Sequence, residues 1–106
     1  MRTEKIELSG FTIYEAPNLD PVMVIIQDVK PGHGRLIVEC YGEIWTTYWG
    51  GIGNRTLRDF LLSCSADYIR DNLLPSRKRA TKRDEAYLMR IVSAVQEAIE
   101  NHELCQ

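Results

Sequence analysis

The run YWGGIGNRT, Tyr48 to Thr56, separates two parts of the sequence that have different periodicities. Before Gly50, β-branched and aromatic residues dominate short alternating runs. After it, apolar residues recur every three or four positions. Alternation is the period of a half-buried strand, and the longer spacing is that of an amphipathic helix. Strands first and helices second predict an α+β domain: a mostly antiparallel sheet of about four N-terminal strands with two C-terminal helices packed on one face. A parallel crossover is excluded, because no strand follows the helices. The 106 residues suit a single domain, 1–106, and a second core would be hard to fit.

Within the first part, KIELSGFTIY predicts a strand with an irregularity at Ser9-Gly10, and PVMVIIQDV predicts a central strand. KPGHG breaks the chain, since Pro31 lacks a backbone donor and Gly32 and Gly34 suit turns. GRLIVECY and EIWTTYWG then predict a hairpin. A type II′ turn at Gly42-Glu43 would pair Tyr41 with Ile44 and Cys40 with Trp45. That register places Leu36, Val38, Cys40, Trp45, Thr47 and Trp49 on one uncharged face, which is expected to pack under the helices. Ile37, Glu39, Tyr41, Ile44, Thr46 and Tyr48 fall on the other, half-exposed face.

In the second part, TLRD at Thr56 forms a capping signature, with Asp59 in place of the usual Glu. Leu57, Phe60, Leu61, Cys64 and Tyr68 make one apolar stripe, so a single helix is expected from Thr56 to just before Pro75. PSRKRATKRD is a polar link, and TKRD repeats the capping signature at Thr81. The second helix is expected from about Lys82 to His102, with Leu88, Ile91, Val92, Val95 and Ile99 as its stripe.

The glycines of YWGGIGNRT invite a nucleotide reading, which the residues do not support. A phosphate loop needs GxxxxGK[ST], and the lysine is absent; a dinucleotide fingerprint needs GxGxxG and a later parallel strand. The glycines are expected to turn the chain and let the helix approach the sheet. Arg55 beside the free amides of the first helix remains a candidate anion site.

Arg77, Lys78, Arg79, Lys82 and Arg83 place five cations within seven residues, at the link into a helix. Such a cluster can grip phosphates with a salt-dependent affinity, although no aromatic residue interleaves to stack bases. The link of about seven polar residues is too long for a DNA-reading helix-turn-helix.

Catalytic constellations are thin. His33 and His102 have no metal-ligand spacing, Asp28 could meet His33 across the turn, and Ser63 and Cys64 lack the surroundings of a nucleophile. No cofactor is implied, and a non-enzymatic role is expected. The net charge of −2 excludes polyanion binding by bulk charge. Cys40, Cys64 and Cys105 are odd in number and widely spaced, as expected of reduced thiols. No apolar leader or membrane-length run is present, so a cytoplasmic location and no membrane partner are expected.

CYGEIWTTYWGGIGNRTLRDFLLSC, followed by DEAYLMRIV, resembles small proteins of unknown function encoded by enterobacterial phages and prophages. The resemblance covers the hairpin and both helices, and it implies an accessory gene product acting inside the bacterial host cell. No catalytic or binding residue carries over from it. Tyr14, Tyr41 and Tyr48 are the exposed aromatics expected at an interface, with a host or phage protein or with a second copy as a homodimer. The rival expectation is a nucleic-acid-binding module using residues 77–83.

Overall fold

The computed structural model describes residues 1–102, the side chain of His102 excepted; Cys105 lies outside the described residues. Four strands, β1 (Ser9–Ile13), β2 (Val22–Lys30), β3 (His33–Cys40) and β4 (Glu43–Trp49), form one antiparallel sheet in the order β1-β2-β3-β4. Helices follow: α1 (Leu57–Ser63), α2 (Ala66–Leu73), a 3-10 turn at Leu74–Ser76, and α3 (Lys82–His102). The α+β architecture is the expected one.

The hairpin differs from expectation in its turn. Cys40 faces Glu43 and Glu39 faces Ile44, and Tyr41 and Gly42 are the two central turn residues, with φ of 52° and 83°. Two successive left-handed residues match the twist of the flanking strands, which favours a type I′ turn over the expected type II′. The carboxylate of Glu39 accepts from Gly42 N–H at 2.6 Å and closes the turn. The pairing is displaced by two residues, and an even displacement returns every side chain to the same face. The uncharged face is accordingly buried under the helices, with Trp45 and Trp49 in the core.

The expected first helix is two helices. Its apolar stripe is continuous, but the backbone extends at Cys64 (φ −89°, ψ 153°), and the Ser65 hydroxyl accepts from Tyr68 N–H at 3.2 Å to cap α2. Serine competes for backbone donors in this way and so favours a helix start over a helix interior. Gln96 of α3 donates to the carbonyls of Leu61 (3.0 Å) and Cys64 (2.8 Å), which satisfies backbone acceptors where α1 stops. The break lets α2 bury Ile69 and Leu73 in the same core. The first strand is also shorter than expected, since Lys5 to Leu8 lie outside the sheet and are exposed.

The close approach of helix to sheet comes from a glycine in a strand. A Cβ at Gly34 of β3 would sit 2.8 Å from Leu57 Cβ, whereas one at Gly51 or Gly53 would meet nothing. Gly53 serves the turn instead, with φ of 74°.

Candidate functional site

Because the helices cover one face of the sheet, the other faces outward. Its middle row is Gly10, Ile25, Ile37 and Thr46, one residue from each strand, with both isoleucines half-buried. Toward the hairpin turn the next row carries Met23, Glu39 and Ile44, and Ile44 is 62% exposed. Toward the opposite end, Gln27, Arg35 and Tyr48 share a row. There the Tyr48 hydroxyl lies 2.8 Å from His33 Nδ1, and Arg35 lies over the Tyr48 ring at 5.4 Å while donating to Gln27 at 3.1 Å. This face combines aliphatic side chains with an ordered polar cluster at one end.

The three tyrosines are exposed, but they do not form one patch. Tyr48 belongs to the polar end of the outer face, and Tyr41 sits in the turn at the other end. Tyr14 follows β1 and lines a groove beside α3. Tyrosine count was visible in the sequence; their separation depends on the strand order.

The basic segment is divided in a way that composition does not reveal. Arg77 pairs with Glu43 of β4 and with Asp84 of α3 at 3.2 Å, and its guanidinium lies over the Trp45 ring at 5.4 Å. It therefore ties the link to the sheet and to α3. Lys78, Arg79, Lys82 and Arg83 are exposed and form no ion pair among the described residues. Thr81 and Asp84 form the expected capping box: the Asp84 carboxylate accepts from Thr81 N–H at 2.8 Å, and the Thr81 hydroxyl accepts from Asp84 N–H at 3.1 Å. That backbone donor, helped by the Thr81 hydroxyl, Arg77 and Arg83, holds the Asp84 carboxyl below its ordinary range against partial desolvation.

Arg55 is also occupied. It donates to the Ile52 carbonyl and the Ser63 hydroxyl, each at 3.0 Å, and lies over the Phe60 ring at 5.0 Å. The amide of Leu57, the first residue of α1, already donates to the Asp28 carboxylate at 2.7 Å. An acidic side chain from β2 thus stands where an external anion was expected. Burial pushes the Cys64 thiol up, against the hydrogen bond from Ser63 and the charge of Arg55, and so away from the thiolate a nucleophile needs.

Among the described residues, no group of three or more His, Cys, Asp or Glu side chains has metal-binding geometry. No helix among them is long and apolar enough to cross a membrane.

The antiparallel sheet thus has one face covered by helices and one open face, with Gln27, His33, Arg35 and Tyr48 clustered at one end of the open face. The chain's relatives are phage proteins. The profile of a phage family, phiTE_072, matches residues 1–85, and the chain belongs to that family. The match takes in the N-terminal strands, which the resemblance to phage proteins did not cover, and ends in the first turn of α3. No curated protein and no solved structure matches the chain.

Proposed function

We propose that this phage protein is a non-enzymatic accessory factor that acts in the bacterial cytoplasm by binding another protein through the open face of its sheet. The supporting observation is the set of apolar side chains left on that face: Ile44 at 62% exposure, with Tyr48 at 47%, Met23 at 37% and the half-buried Ile25 and Ile37 between them. Contiguous exposed apolar surface on a small protein is the usual mark of an interaction site. Tyr48, held by His33 and Arg35, is a pre-organised aromatic anchor of the kind that carries binding energy. Tagged protein should retain a partner from nuclease-treated lysate of infected cells, and Ile44→Asp combined with Tyr48→Ala should release it. Retention by the double variant would sink the proposal.

A second reading rests on the exposure of Lys78, Arg79, Lys82 and Arg83, which could grip nucleic-acid phosphates. Titration against DNA and RNA at two salt concentrations tests it. Salt-sensitive binding lost in the Lys78→Ala/Arg79→Ala variant supports the reading, and no binding at low salt removes it.

A further inference from the structure

A groove of about 890 Å³ runs between the β1–β2 loop and the outer side of α3. The end of β1 with Ile13 and the loop with Tyr14 and Leu19 supply one wall, and α3 supplies the other from Ala86 to Asn101. This side of α3 is opposite its buried stripe of Leu88, Ile91, Val92, Val95 and Ile99. We propose that the groove seats the α3 helix of a second copy, giving a two-fold dimer with antiparallel α3 helices. The family match stops at residue 85, so the α3 wall of the groove lies beyond it and the opposite wall lies within it.

The sequence along the outer side of α3 is self-complementary. Ala86, Arg90, Ser93, Ala94, Glu97 and Asn101 follow one another at helical spacing along it and line the groove. A two-fold axis between Ser93 and Ala94 sets each residue level with one on the other copy. Ser93 meets the partner's Ala94, so the small side chains lie at the crossing and allow the axes to approach to roughly 8–10 Å. Met89 meets the partner's Ala98, a long side chain against a short one. Arg90 meets the partner's Glu97, and symmetry makes this contact twice. Neither Arg90 nor Glu97 forms an ion pair within its own chain among the described residues; Arg90 lies over the Tyr87 ring at 5.6 Å.

The same charges select the orientation. A parallel pairing would set Arg90 against the partner's Arg90 and Glu97 against the partner's Glu97, and like charges at close range reject it. Only the antiparallel register brings opposite charges together with the small residues at the centre. The strip spans about 22 Å at 1.5 Å per residue. A contact confined to one helix face of that length is a small interface, so the dimer is expected to be weak and to depend on concentration.

Sedimentation equilibrium over micromolar to millimolar protein, with folding checked by circular dichroism, tests the proposal. The wild type should pass from monomer to dimer with concentration. Arg90→Glu alone and Glu97→Arg alone should each weaken the dimer at least ~10-fold by placing like charges in contact. The combined Arg90→Glu/Glu97→Arg variant should recover to within about threefold, because exchanging the charges restores both contacts. Ile44→Asp, on the sheet face, should leave the dimer unchanged, which separates this interface from the one proposed for another protein. A monomer throughout, a dimer indifferent to single reversal, or a combined variant that fails to recover would each overturn the proposal.

Discussion

Asp28 on β2 caps α1 from outside the helix: its Oδ1 accepts from Leu57 N–H at 2.7 Å, across 29 positions of sequence. The contact satisfies one of the free donors at the helix start and places negative charge at the positive end of its dipole. It joins sheet to helix at the corner where glycines first suggested a phosphate loop. Asp28→Ala should cost about 1–2 kcal/mol, as loss of a cap does, measured by urea denaturation. Inorganic phosphate should leave the wild-type melting temperature unchanged, since the donor is already taken. A phosphate-dependent rise abolished by Arg55→Ala would contradict this account.

Gly34 and Leu57 make the second sheet-to-helix contact. A methyl group at Gly34 would meet Leu57 Cβ at 2.8 Å and Cδ1 at 3.1 Å. Leu57 is fully buried and has little room to move. Gly34→Ala should therefore destabilise by about 1–3 kcal/mol through overpacking. A neutral or stabilising result in thermal unfolding would mean that α1 can shift.

The basic segment should divide on mutation as it divides in the structure. Arg77→Ala should lower stability by about 1 kcal/mol, a value discounted because the side chain is 37% exposed and its ion pairs are partly screened. Lys78→Ala and Arg79→Ala should change stability by less than ~0.5 kcal/mol. If any of the segment touches nucleic acid, the latter pair should lower the salt dependence of binding.

Asp84 introduces a pH dependence of definite sign. Its carboxyl is held below the ordinary 3.8, first by Thr81 N–H, so the folded protein takes up this proton less readily than the unfolded chain. The contribution is complete above the ordinary value and is lost as pH falls through the lower, folded value. Asp84→Asn should thus be less stable than wild type at neutral pH, and the gap should close in acid. Denaturation curves across that range would show it, and a gap that persisted unchanged below the folded value would refute it.

The outer surface of the sheet was partly legible from residues alone. The faces of β3 and β4 were assigned correctly although the turn was misplaced, because alternation has a period of two and the displacement was two. The division of the first helix was harder to see. The stripe from Leu57 to Tyr68 suits one helix, and only the competition between Ser65 and the helical hydrogen bonds interrupts it. Arg77 looked like its neighbours Lys78 and Arg79, since nothing local marks a side chain that will reach Glu43 across 34 positions.

What the sequence alone determined is what local periodicity and local chemistry encode. That comprises the order of strands before helices, the faces that β3 and β4 bury, the caps at Thr56 and Thr81, and the buried stripe of α3. Tertiary structure decided which polar groups meet: Asp28 with Leu57 N–H, Gln96 with the end of α1, and Arg77 with Glu43 and Trp45. It also decided which surfaces stay open, the outer sheet face and the α3 groove. The reason is physical. A repeating pattern reports how one element meets water or core, whereas contacts between elements depend on the turns and crossing geometry that only the packed chain sets.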